Sequence, residues 1–184
     1  MTAARRVVAV VLAAGRAERF GGDKLMHPLN GRPLGEHIAM TLAGVPLAAR
    51  LAICPADSPR RGLFAEHGFE IIDNPHPEQG MGASLALGAS RAMTLGADAM
   101  LVCLADMPYV TREHLLSLLA VDAAAVVTES SGVRTPPAVF ARELFSGLVA
   151  LDGDQGARRL LKSAATVAAA PALIRDFDTL ADFD

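Results

Sequence analysis

Tryptophan is absent, tyrosine occurs once, and aromatic residues make up only 4% of the 184-residue sequence. That scarcity argues against the stacking platforms on which single-stranded nucleic acids are bound. Positive charge is not in excess either. The formal net charge is −3 with lysine and arginine scattered, so the electrostatic footprint of a nucleic-acid-binding protein is missing. The two cysteines, Cys54 and Cys103, each close an apolar run and have no C-x-x-C spacing. They read as buried thiols of a cytosolic protein, with no disulfide between them. No apolar stretch is long enough to span a bilayer. The run after Arg5-Arg6 stops at a glycine loop rather than at a cleavage site, which predicts a cytoplasmic protein without a signal peptide. Internal repeats and low-complexity linkers are missing, although alanine-rich patches occur at 120–126 and 164–172.

What is present is apolar residue in quantity, 52% of the chain, enough for one well-cored domain spanning 1–184. Val7-Val8-Ala9-Val10-Val11 reads as a strand buried on both faces, as in a parallel sheet. It runs into Leu12-Ala13-Ala14-Gly15-Arg16-Ala17-Glu18-Arg19-Phe20-Gly21-Gly22-Asp23-Lys24. In an open α/β sheet, ligands bind outside the carboxyl ends of the strands. Small residues at Ala13, Ala14 and Gly15 let main-chain N–H groups approach a ligand, and Arg19 and Lys24 offer cationic donors to phosphate oxygens. The stretch reads as a grip for a triphosphate. Neither the dinucleotide G-x-G-x-x-G nor the P-loop G-x-x-x-x-G-K-[ST] fits its spacing.

What fits is L-A-A-G-x-x-x-R-[FM]-G-x-x-K-L, and in this the sequence resembles the MobA-like nucleotidyltransferases, the family that includes the molybdenum cofactor cytidylyltransferases. One departure is visible: Ala17 stands where family members usually carry a serine. The resemblance implies a nucleotide-diphospho-sugar transferase-like, Rossmann-like fold.

The chain order agrees with such a fold. Leu25 to Leu29 reads as a short extended segment turned by Asn30-Gly31, followed by a helix at about 34–43. His27 interrupts that segment and reads as a packed or half-exposed side chain, since no metal-spaced partner accompanies it. A strand at 51–54, a helix near 58–67 and a strand at 69–72 follow. This β-α-β-α-β alternation predicts a three-layer α/β structure, a doubly wound, mostly parallel sheet with helices on both faces.

Asp73 to Leu85 leaves a strand, turns at two prolines and enters a helix through glycines, where main-chain donors at a helix start can meet a polar ligand. It resembles the N-P…G-M-x-x-S-L element of the cytidylyltransferase branch, which implies a wall of the nucleotide site with Asn74, Gly80 and Ser84 near base and ribose. Ser84 could equally cap or decorate the helix start. The next apolar strand, Asp98 to Leu104, delivers Asp106 to the sheet edge, where a carboxylate is costly unless exposed or holding a cation. A capping role for it is weakened because Thr111 already precedes the helix 112–119. In the family's L-A-D-x-P motif this aspartate holds Mg²⁺ against the triphosphate.

A strand at 123–128 and a turn at 130–132 lead to Arg134-Thr135-Pro136-Pro137, whose prolines suit a strand start or a sheet edge. The family usually shows G-x-P-[VA] here, at the acceptor side, and Thr135 replaces the glycine. Gly153 to Leu161 resembles the G-D-x-G-A-R-x-L-L run of the cytidylyltransferase branch, although Asp154 could simply cap a helix and pair with Arg158. The end, Leu173 to Asp182, reads as a last strand followed by a helical turn with a Thr179/Asp182 capping arrangement. It matches the family's D-[IF]-D-T-x-x-D ending, which implies that Asp178 completes the metal site with Asp106; capping is the rival reading of Asp178.

No constellation for covalent catalysis is present, which suits a reaction run by positioning and charge neutralisation. The resemblance implies transfer of CMP from CTP to the terminal phosphate of molybdopterin, with pyrophosphate released and the product passed to a recipient such as a molybdenum hydroxylase. Leu12, Ala13, Ala14 and Gly15 would hold the base and α-phosphate, Arg19 and Lys24 the phosphate charge, and Asp106 and Asp178 the Mg²⁺. The alternatives are a guanylyltransferase using GTP, a cytidylyltransferase acting on another phosphorylated acceptor, and a non-catalytic chaperone of the cofactor.

Overall fold

The computed structural model describes residues 5–15, 20–150 and 161–183. Its seven-stranded sheet has the order β5-β4-β1-β6-β8-β7-β9. The strands are β1 (Val7–Leu12), β4 (Ala49–Pro55), β5 (Glu70–Asn74), β6 (Ala99–Leu104), β7 (Ala125–Ser130), β8 (Val133–Ala141) and β9 (Ala165–Ala168). A two-stranded ribbon, β2 (Pro28–Leu29) with β3 (Arg32–Pro33), stands apart from it. β1 pairs in parallel with β4 and β6, and β4 with β5. β8 runs antiparallel to both β6 and β7, and β9 is parallel to β7. The mostly parallel, doubly wound sheet expected from the sequence is therefore the observed fold.

Strand alternation builds the three layers. Val7, Ala9 and Val11 of β1 face one core with α1 (Leu34–Ala43), α2 (Arg60–Glu66) and α4 (Arg112–Leu119). Val8, Val10 and Leu12 face the other, with α3 (Met81–Thr94) and α5 (Phe145–Val149). A strand buried on both sides needs apolar residues without interruption, which is why the VVAVVL run is continuous. α3 lies close against β1: a Cβ added at Gly88 would sit 2.6 Å from Val10 Cγ1.

Three details differ from the sequence reading. Residues 24–26 form a 3₁₀ turn rather than an extended segment, because Asp23 caps it by accepting from the Leu25 N–H at 3.2 Å. β8 is an interior strand, not an edge. It tolerates its prolines because pairing with β7 jumps from Val127–Ala138 to Thr128–Thr135, leaving Pro136 and Pro137 outside the ladder. The last strand lies at Ala165–Ala168, within an alanine-rich patch, while Pro171–Ile174 is a 3₁₀ turn.

One polar chain crosses the bulge. The Thr128 hydroxyl donates to the Pro137 carbonyl at 2.8 Å and accepts from His114 Nε2 at 2.8 Å, so His114 carries its proton on Nε2. Burial lowers the His114 pKa below its ordinary 6.5. Among the described residues, no helix is long and apolar enough to cross a membrane.

Candidate active site

The parallel strands end along one edge, and the loops that leave them meet there. Past β1, Ala13 N–H donates to Ile53 O at 3.0 Å, and Ala105 N–H donates to Leu12 O at 3.2 Å, so the ladder continues to the edge itself. Ala14 and Gly15 then line a cleft of about 330 Å³ together with Gly80, Ser84 and Asp106. That volume lies in the range of small-molecule sites. Leu12 forms part of its floor and part of the floor of an adjoining apolar cleft of about 210 Å³, which Thr135, Pro136 and Phe140 also line.

The 3₁₀ turn that Asp23 caps aims Lys24 inward, and the side chain is almost wholly buried. Its Nζ stands 2.8 Å from Asp106 Oδ2 and 2.8 Å from Asp178 Oδ1. Burial pulls the Lys24 pKa down, but the Asp106 and Asp178 carboxylates outweigh it and leave the ammonium above its ordinary value of 10.5. Asp106 comes from the end of β6, and Thr111 is the residue that caps α4, accepting from the His114 N–H at 3.3 Å.

Asp178 arrives by another route. Asp182 Oδ2 accepts from the backbone N–H of Asp178 at 3.0 Å and of Thr179 at 2.8 Å, and from the Thr179 hydroxyl at 2.9 Å. Those bonds hold the Asp182 carboxyl down at about 2. Asp182 is thus the cap of this turn, while the Asp178 carboxylate reaches Lys24. Aromatic rings pin the segment in place: Phe183 packs on Phe20, His27 and Phe177 with centroids 5.6, 4.6 and 4.9 Å apart. His27 is accordingly a half-buried packing residue.

The second wall is the start of α3. Gly80 precedes it at φ 84°, ψ −170°, a conformation reserved in practice for glycine. Gly80 has no side chain with which to cap the helix, and Gly80 and Met81 line the cleft beside Glu78. Ser84 lines the cleft, and Asn74 stands behind it, 2% exposed. Asn74 Nδ2 donates to Ser84 Oγ at 3.0 Å, and its Oδ1 accepts from the His76 N–H at 2.9 Å. Asn74 therefore sets the loop and Ser84 rather than lining the cleft. Ser84 does not cap the helix.

Most of the residues singled out in the sequence converge here: Leu12, Ala14, Gly15, Gly80, Ser84 and Asp106 on the cleft, with Lys24 bridging Asp106 and Asp178. Ala13 is buried at the strand end. Arg19, Ala17, Asp154 and Arg158 lie outside the described residues. The cysteines stay out of the chemistry, since burial pushes the Cys54 thiol up to about 11 and raises Cys103 further.

Sequence reasoning missed Arg60. It is 5% exposed at the start of α2, with Nε 2.7 Å from Asp23 Oδ1 and one terminal nitrogen donating to the carbonyls of Ala13 and Gly15 at 2.5 and 2.8 Å. A signal was available, because a cation at the positive end of a helix needs a partner elsewhere.

Asp106 and Asp178 each place one carboxylate oxygen on Lys24 Nζ, and among the described residues no group of three or more His, Cys, Asp or Glu could hold a metal ion by itself. One or two carboxylates completed by substrate phosphates is the arrangement that suits Mg²⁺.

The chain is similar to known proteins over most of its length. The chain is 31% identical to the purine catabolism protein PucB of Bacillus subtilis (strain 168), with 97% of this chain and 91% of PucB covered. It is 34% identical to a molybdenum cofactor guanylyltransferase of Cereibacter sphaeroides, covering 79% of this chain and 76% of that protein. Its fold superposes on the crystal structure of Rv0371c from Mycobacterium tuberculosis H37Rv with a TM-score of 0.83 at 26% identity, covering 99% and 97% of the two chains. The model of the MobA-like NTP transferase domain matches residues 9–169, and the chain belongs to that family of nucleotidyltransferases.

Proposed function

We propose that the protein transfers CMP from CTP to the terminal phosphate of molybdopterin and releases pyrophosphate. The observation that carries this reading is the Lys24 ammonium held between Asp106 and Asp178 beside the loop after β1. A triphosphate laid along that loop meets main-chain donors at Ala14 and Gly15, with Gly80 and Ser84 across the cleft. Lys24 and Arg19 neutralise charge that builds on the α-phosphorus and the leaving pyrophosphate. Asp106 and Asp178 would hold Mg²⁺, which would supply Lewis-acid stabilisation of the same charge. A terminal phosphate oxygen of the acceptor attacks the α-phosphorus, a new phosphoanhydride bond forms, and the bond to pyrophosphate breaks.

Ser84, set by Asn74 and next to Gly80, borders the base and ribose end. The acceptor's ring enters the adjoining apolar cleft, where Pro136 and Phe140 offer flat apolar surface and Arg134 a cation at the rim. The whole chain works as one nucleotidyltransferase unit, and its product goes to a recipient such as a molybdenum hydroxylase. The family resemblance of the 80–85 and 153–161 runs supports cytidine over guanine. The relative in Cereibacter sphaeroides carries the guanylyltransferase name, so GTP is the second reading.

Pyrophosphate release is the test, with Mg²⁺ and molybdopterin present and CTP, GTP, ATP and UTP compared. Release with CTP alone supports the proposal. Release with GTP alone moves the protein to the guanylyl reading with the site unchanged. Nucleotide binding without release from any of the four favours a cofactor chaperone or a different acceptor.

A further inference from the structure

The geometry points to Arg60 as a positioning residue for both halves of the nucleotide site, the main-chain donors after β1 and the turn that presents Lys24. The inference rests on the nucleotide reading of that loop and adds a residue it does not contain.

Arg60 reaches three places with one guanidinium. One terminal nitrogen donates to Ala13 O at 2.5 Å and to Gly15 O at 2.8 Å, and Nε donates to Asp23 Oδ1 at 2.7 Å. The same Asp23 oxygen accepts from the Leu25 N–H at 3.2 Å and so starts the 3₁₀ turn at Lys24. Pulling a carbonyl back has a consequence at the front. In a trans peptide the C=O and the next N–H point in opposite directions. The Ala13 carbonyl that Arg60 draws toward α2 therefore turns the Ala14 N–H the other way, and Ala14 lines the cleft. Arg60 orients a donor without touching the ligand itself.

The chemistry requires arginine. A planar fork with five donors in fixed directions can serve two carbonyls and a carboxylate at once, whereas an ammonium is a single point of charge on a flexible stem. Lysine in its place keeps the charge and loses the simultaneous contacts. With Arg60 5% exposed, water does not replace them.

The test uses the full chain with Mg²⁺ and titrates CTP and GTP separately against wild type, Arg60→Lys and Arg60→Ala. Both variants are expected to bind the nucleotide that wild type prefers at least tenfold more weakly, and kcat/KM is expected to fall roughly 100-fold, as displaced positioning groups produce. Millimolar guanidinium added to Arg60→Ala restores part of the affinity, which urea at the same concentration does not. Asp23→Asn keeps the cap on Leu25 and weakens only the tie from Arg60 to the lysine turn. It is expected to lower kcat with KM nearly unchanged, and it keeps the inference testable if Arg60→Ala does not fold. Arg60→Lys binding nucleotide as tightly as wild type overturns the inference, as does an Asp23→Asn enzyme with wild-type kcat. Wild-type protein that binds neither nucleotide overturns the reading of the site and this inference with it.

Discussion

The four parallel strands β5-β4-β1-β6 and the three strands β8-β7-β9 share one sheet but supply the cleft in different ways. In the parallel half every carboxyl end points to the same edge, so short loops suffice: β1 gives Ala14 and Gly15, the loop after β5 gives Gly80, and β6 gives Asp106. In the other half, β8 runs against its neighbours. Its second carboxylate, Asp178, comes from the irregular segment after β9 and is fixed by Asp182 and by rings at Phe177 and Phe183. Parallel strands deliver a functional group by topology, and a segment without a strand has to be tied down.

The largest way to break this arrangement is at Lys24, where the two halves meet. Lys24→Ala is expected to lower turnover by about 10³-fold, roughly 4 kcal/mol of transition-state stabilisation. Pyrophosphate release checks this, with circular dichroism showing that the chain remains folded. Phe177→Ala should come next. Phe177 is fully buried, and its removal is expected to cost about 3 kcal/mol in denaturant unfolding. If Asp178 depends on the rings as argued, turnover falls further than the loss of folded protein explains.

Gly88→Ala probes the parallel half alone. The new Cβ would meet Val10 at 2.6 Å, and overpacking of this kind costs about 1–3 kcal/mol, read as a lowered denaturation midpoint. The smallest effect is a pH dependence of the antiparallel half. His114 has a folded pKa below its ordinary 6.5, so its proton binds more readily in the unfolded chain. Its contribution is complete above 6.5 and is lost progressively as the pH falls below it. Unfolding midpoints measured across this range should decline toward acid in wild type, and less steeply in His114→Gln.

Legibility in the sequence followed the same division. The run Val7–Leu12 and the glycine loop after it are local signals, because a twice-buried strand must be apolar throughout and a phosphate loop must be small. Asp106 was legible from its position after such a strand. β9 was not: Ala165-Thr166-Val167-Ala168 alternates half-buried and exposed at a sheet edge, with little apolar contrast among surrounding alanines. Pro136-Pro137 misled because prolines ordinarily mark edges, and only the register shift opposite them admits an interior strand. Arg60 left no local trace beyond its place at a helix start, since its partners belong to a loop far earlier in the chain.

The register shift between Val127 and Thr128 also divides the β7–β8 ladder into two runs, Ala125–Val127 with Ala138–Phe140 and Thr128–Ser130 with Val133–Thr135. The first run is backed by β6 on the far side of β8, and the second reaches beyond the β6 pairing, which ends at Ala138. Amide protons of Val133–Thr135, on the β8 side of the second run, should therefore exchange with solvent through small local openings, while those in the first run wait for the sheet to come apart. The hairpin tip can breathe beside the apolar cleft without loosening the core beneath it.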